Sequence, residues 1–160
     1  MRKFGKVEFL GKGESCKRLD KLGVDALIAD DDVLWQASRK RSIAVKSLLL
    51  DQSVLAGIGN IYAAEALFLA GVKPMRKANK LTRQECALLT KHAREVMTRS
   101  IETGGSSISD YINPSGEDGG YQNERKVYGL EGEPCPTCGK PIKRVVISTR
   151  SSCYCQKCQK

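Results

Sequence analysis

The chain has 160 residues with 27 Lys+Arg against 18 Asp+Glu, a formal charge of +9, and 41% apolar and 28% charged residues. That length suits one compact domain or two small ones, and that composition excludes a disordered tail. No apolar run reaches the ~18–20 residues of a spanning helix, and Met1-Arg2-Lys3-Phe4-Gly5 carries no apolar signal core, so a cytoplasmic protein without a membrane partner is expected.

In chain order, residues 1–10 alternate enough to suggest a short strand, and a lone strand implies missing neighbours. Residues 14–41 read as weakly helical, with Asp30-Asp31-Asp32 capping a helix start ahead of Val33-Leu34-Trp35 and with Trp35 as a core anchor. Residues 42–56 read as a strongly apolar helix, broken by Gly57-Ile58-Gly59. Asn60 then opens a second apolar helix through Ala70, ended by Gly71 and Pro74. Two helices joined by such a turn form a hairpin of the kind that docks DNA. Asn60 itself has two readings: an N-cap, or, with the exposed N–H groups of the turn, a ligand for a phosphate oxygen.

A further helix is expected over 82–103, started by the capping-box pair Thr82 and Glu85 and stopped by Gly104-Gly105. Its inward stripe would be Cys86, Leu89, Ala93, Val96 and Ile101, with His92 at the surface rather than serving as a base. Residues 104–126 form a long polar loop rich in Gly and Ser, and loops of that length are functional or disordered.

Four of the seven cysteines fall into the pattern Cys135-Pro-Thr-Cys138, sixteen residues, Cys155-Gln-Lys-Cys158. Each two-residue gap turns both thiolates toward one ion, and two such knuckles complete a tetrahedral site. One structural Zn2+ is the expected cofactor, favoured over an iron–sulfur cluster by the short β-rich insert between the knuckles. An odd cysteine count speaks against a disulfide framework. Cys153 competes with Cys155 for one position, and the spacing selects Cys155. Ile142, Val145, Val146 and Ile147 supply strand formers for a hairpin, with Thr149-Arg150-Ser151-Ser152 as its polar tip. Residues 135–160 hold six basic and no acidic side chains, two thirds of the net charge, which points to a polyanion partner.

Asp51-Gln52, Gly57-Ile58-Gly59-Asn60-Ile61-Tyr62-Ala63 and Glu65-Ala66-Leu67-Phe68 together resemble the helix–two-turn–helix element of the formamidopyrimidine-DNA glycosylase and endonuclease VIII family. Tyr128-Gly129, Gly132-Glu133-Pro134-Cys135 and the cysteine spacing are similar to its C-terminal finger. Gly104-Gly105-Ser106-Ser107 and Tyr121-Gln122 resemble the damaged-base loop of the formamidopyrimidine branch. The resemblance implies a mainly α fold: a remnant strand of a β-sandwich (1–13), a linker or helical segment (14–41), the DNA-binding helical domain (42–126, with the lesion loop at 104–126) and a β-hairpin zinc finger (127–160). It implies a phosphate contact for Asn60, a basic DNA contact for Arg41, and for Arg150 a phosphate contact with a part in δ-elimination. Arg2 and Phe4 would fill the gap left by a flipped-out base, and Ser106, Ser107, Ile108, Ser109, Asp110 and Tyr111 would hold it. The chain departs from the family at Thr149, commonly Gly, and at Cys153, commonly aromatic.

Members of the family excise oxidised purines such as 8-oxoguanine and formamidopyrimidines and nick the abasic site. They use an N-terminal Pro-Glu, whose amine is the nucleophile, and a Lys of the β-sandwich. None of these groups is recognisable here, and Lys46 or Lys3, as surface lysines, would be poor nucleophiles. The expectation is a monomeric DNA-binding portion of such an enzyme that binds double-stranded, preferentially damaged DNA without catalysis, with a separate N-terminal catalytic fragment as a further partner. The competing expectations are a stand-alone non-catalytic zinc-finger DNA-binding module and an inert product of a broken gene.

Overall fold

The computed structural model describes residues 9–106 and 119–160. The expected strand at residues 1–10 lies almost wholly outside the described residues, and Phe9 and Leu10 belong to no strand.

The first helix, α1 (Asp31–Arg39), starts as expected, with the Asp30 carboxylate accepting the N–H groups of Asp32 and Val33. The rest of 14–41 holds less helix than its pattern suggests. Before α1 there is only a single 3-10 turn, Leu19–Lys21, and a two-residue strand, β1 (Val24–Asp25). Trp35 packs half-buried against the core, with the Arg39 guanidinium 3.8 Å above its ring.

The apolar run 42–56 is not one helix. Only α2 (Val45–Leu49) is helical. Asp51 ends it by capturing both the N–H and the hydroxyl of Ser53, an Asx turn that reverses the chain. The next residues, β2 (Leu55–Ala56), pair in parallel with β1. Tertiary pairing thus outweighs the helical propensity of an apolar stretch.

The turn Gly57-Ile58-Gly59 leads into α3 (Asn60–Leu69). The longest helix, α4 (Arg83–Glu102), carries the full capping box: Thr82 accepts the Glu85 N–H at 3.1 Å and Glu85 accepts the Thr82 N–H at 2.8 Å. Its buried line is Cys86, Leu89, Ala93, Val96, Met97 and Ser100. Ile101, expected inward, is 65% exposed, because one more residue turns it about 100° off that face.

The chain ends in an antiparallel hairpin, β3 (Lys143–Ile147) and β4 (Arg150–Tyr154), in which Ile147 faces Arg150. Arg150, Ser151 and Ser152, expected in the tip, are strand residues. The tip is the two-residue turn Ser148-Thr149, both at positive φ (47° and 67°). Paired positive φ matches the twist of the flanking strands.

Two apolar cores share α3. One gathers α1, α2 and α4 around Leu34, Leu48, Leu49, Leu67 and Leu89. The other joins Ala64 and Phe68 of α3 to Val127, Ile142, Cys153 and Cys155 of the finger. A helix that is apolar all round is buried on both sides, and the residue sequence of α3 fits that place.

Candidate metal centre and nucleic-acid interface

The finger builds its metal site from two tight turns. Gly139 donates its N–H to the Cys135 carbonyl at 2.8 Å, and Cys135 donates to the Lys140 carbonyl at 2.9 Å. In the second knuckle Gln159 donates its N–H to the Cys155 carbonyl at 3.1 Å, while its side-chain oxygen accepts the Cys155 N–H at 2.7 Å. The same buried side chain donates to the Val72 carbonyl at 2.8 Å, tying the knuckle to the helical unit. The sulfurs of Cys135, Cys138, Cys155 and Cys158 lie within 4.8 Å of one another, with 3.9 Å between Cys135 and Cys158 and 3.5 Å between Cys138 and Cys155. Thiolates about 2.3 Å from a shared Zn2+ stand about 3.8 Å apart in a tetrahedron, so the donor set fits zinc. Cys153 is outside this cluster and packs in the second core, as the spacing predicts.

The second site lies where the glycine turn meets the hairpin. Gly57 takes φ of +94°, and Gln52 braces the turn by accepting the Gly57 N–H at 2.9 Å and donating to the Ile58 carbonyl at 3.0 Å. Arg150, exposed at the start of β4, lines an open cleft of about 300 Å³ with Leu50, Gln52, Gly57, Ile58 and Gly59. The cap of α3 is Gly59, without a side-chain cap bond, so Asn60 is not the N-cap that one of its two readings makes it. Its amide nitrogen instead donates to the Ser151 carbonyl at 3.2 Å and the Tyr128 hydroxyl at 3.3 Å, and its buried oxygen has no protein partner among the described residues. Asn60 and Arg150 are thereby brought together, one residue of β4 apart.

Arg41 is placed differently. It is paired with Asp51 at 2.6 Å and does not line the cleft. The Ser53 hydroxyl and N–H, and then Arg41, hold the Asp51 carboxyl below the usual carboxylate range. Arg2, Phe4, Ser107, Ile108, Ser109, Asp110 and Tyr111 lie outside the described residues. Ser106 stands at the base of the loop, its hydroxyl buried without a partner among the described residues. The loop's two ends are joined by Tyr121 N–H to Gly105 O at 3.1 Å and Gly120 N–H to Thr103 O at 2.7 Å.

Three polar residues are placed where the sequence pattern does not put them. Lys46, expected at the surface, is fully buried, with Nζ 2.7 Å from both the Ser151 carbonyl and the Ser152 hydroxyl. Burial, reinforced by nearby Arg150, lowers its pKa to about 8 against the opposing pull of Cys153. Glu65, buried in α3, accepts the N–H groups of Lys126, Val127 and Tyr128. Gln159 is the third. For Lys46 and Glu65 a signal is present: a lone charge inside an apolar run is either exposed by a broken pattern or buried with dedicated partners.

A helical hairpin with a glycine turn, docked on a finger whose four cysteines fit zinc, defines the helix–two-turn–helix class of fold. Residues 22–112 match the profile of the formamidopyrimidine-DNA glycosylase H2TH domain, and residues 132–160 that of the zinc finger found in FPG and IleRS. The chain belongs to the formamidopyrimidine-DNA glycosylase family, whose members are DNA-repair glycosylases. It is 41% identical over 161 residues to the formamidopyrimidine-DNA glycosylase of Pasteurella multocida, a match over 99% of this chain and 60% of that protein. That of Bdellovibrio bacteriovorus is 42% identical over the same shares. The crystal structure of the MutM (Fpg) protein from Thermus thermophilus superposes with a TM-score of 0.83 at 42% identity, covering 88% of this chain and 55% of that one. The Lactococcus lactis Fpg in complex with DNA containing an abasic site gives 0.82 at 34% identity, over 89% and 53%. The chain thus spans about 60% of the length of the curated relatives it matches.

Proposed function

We propose that these 160 residues are the DNA-gripping portion of a formamidopyrimidine-DNA glycosylase, binding duplex DNA, preferentially at oxidised-purine or abasic lesions, and by themselves not excising bases. The observation that carries this reading is the convergence of Asn60 and Arg150 on the glycine turn through the Ser151 carbonyl. A guanidinium beside the N-terminus of an apolar helix is a phosphate site: the positive end of the helix dipole and an exposed cation meet at one open cleft. Arg41 adds a weaker contact, because Asp51 already takes part of its charge. Arg150 is the residue for a later elimination step, and the chain contains no Pro-Glu dipeptide to supply the family's nucleophile. A catalytic portion in another segment or fragment completes the activity.

Fluorescence anisotropy with a duplex carrying a tetrahydrofuran abasic analogue tests the binding half. Arg150→Ala should weaken affinity by about tenfold and flatten the salt dependence by about one phosphate's worth. Borohydride treatment on an 8-oxoguanine duplex tests the other half: no covalent adduct should form, and a trapped complex would sink the claim that this portion is inactive alone.

A further inference from the structure

Lys46 is a costly residue to have where it is. Its ammonium sits at zero exposure on the five-residue helix α2, and an apolar side chain of that length would fill the same space without the desolvation penalty. The charge is committed entirely to the hairpin, through the Ser151 carbonyl and the Ser152 hydroxyl, each at 2.7 Å. The Ser151 carbonyl is also the acceptor for Asn60. One residue along α2, the Ser47 hydroxyl meets the Ser148 hydroxyl at 2.9 Å, on the other side of the tip. Arg150 lies between those two attachments.

We propose that Lys46 is a positioning residue: by holding Ser151 and Ser152 from inside the fold, with Asn60 on the same Ser151 carbonyl, it fixes Arg150 as the anion-binding cation on the glycine turn. This rests on the reading of Arg150 as a DNA contact. Lys46 neither touches phosphate nor attacks an abasic sugar, because its amine is enclosed by the hairpin it holds. The serine carbonyl is the shared element; two side chains from different parts of the helical unit converge on it, so β4 cannot slide without breaking both bonds.

The test is a double-mutant cycle on the full zinc-loaded chain with the tetrahydrofuran duplex, comparing Lys46→Met, Arg150→Ala and the pair, with zinc content and salt slope measured for each. Lys46→Met is expected to lose about as much affinity as Arg150→Ala, roughly tenfold. It should lower the salt slope by the same single phosphate, and should cost nothing further when Arg150 is already Ala. Additive losses would make Lys46 an independent contact and overturn the proposal, as would unchanged binding by Lys46→Met. If Arg150→Ala itself binds like the parent chain, it is the DNA-contact reading that fails, and the positioning role falls with it. Should Lys46→Met lose its zinc or its cooperative unfolding, Ser152→Ala removes one acceptor only. It should weaken binding about twofold to fivefold in the parent and not at all in the Arg150→Ala background; equal binding in the parent overturns the proposal.

Discussion

The carboxylate of Glu65, from the middle of α3, accepts the backbone N–H of Tyr128 at 2.7 Å. With the N–H groups of Val127 and Lys126 also turned onto it, one buried side chain fixes the stretch of chain that enters the finger. Tyr128 in turn places its hydroxyl on Asn60. Glu65→Gln puts an NH2 group where an acceptor stood and leaves a buried N–H unpaired. It should destabilise the protein by about 2–4 kcal/mol. Urea unfolding measures this; a loss below about 0.5 kcal/mol would mean that the three bonds are dispensable.

The cysteines divide cleanly. Cys138→Ser should release zinc and unfold the finger, because a site this small depends on its metal for much of its folding energy. Cys153→Ser should retain the metal, costing only the burial of a hydroxyl in the second core, about 1–3 kcal/mol. Metal content after gel filtration with a chelator present decides between them; zinc loss from Cys153→Ser would reverse the ligand assignment.

Thr149 is a β-branched residue at φ of +67°, a conformation that disfavours its Cβ. Thr149→Asn, which tolerates the left-handed region, should raise stability by about 0.5–1 kcal/mol, and Thr149→Val should not. Thermal melts of the two variants are the check, and equal melting temperatures would mean that the turn carries no strain.

Lys46 makes stability depend on pH in a defined window. Its folded-state pKa of about 8 lies below the ordinary 10.5, so between those values the unfolded chain binds more protons than the folded one. Stability from this group is therefore greatest above 10.5, rises through 8–10.5 and is lowest below 8. Arg150 and Cys153 of β4 are the charged and titratable groups that act on it, with opposite signs. Tyr121, raised above its ordinary 10.0 first by burial, works the other way at higher pH, equally in the parent chain and in Lys46→Met. The difference between the two, followed by urea unfolding, should thus shift toward the parent from about pH 8 to about pH 10. A flat difference would show the ammonium to be unperturbed.

Much of this is legible in the sequence. The cysteine spacing selects four ligands and rejects Cys153, and Asp30, Thr82 and Glu85 announce two helix starts, because these are local patterns whose partners lie within a few residues. The stretch 42–56 misleads because the signal that ends α2 is a side-chain turn at Asp51 and a pairing with Val24 and Asp25, about thirty residues back. Asn60 stands at the expected spot, but its partners are not local: the Ser151 carbonyl is 91 residues away and no short pattern encodes it. Lys46, Glu65 and Gln159 share that character, since each bonds across the junction between helical unit and finger.

Because α3 is wedged between two cores, the finger is also a lid over part of that helix. Strip the metal and the finger's loosening bares Ala64 and Phe68, an oily stripe on a helix whose opposite side is still held. A zinc-starved chain is then a sticky one, marked for aggregation or proteolysis.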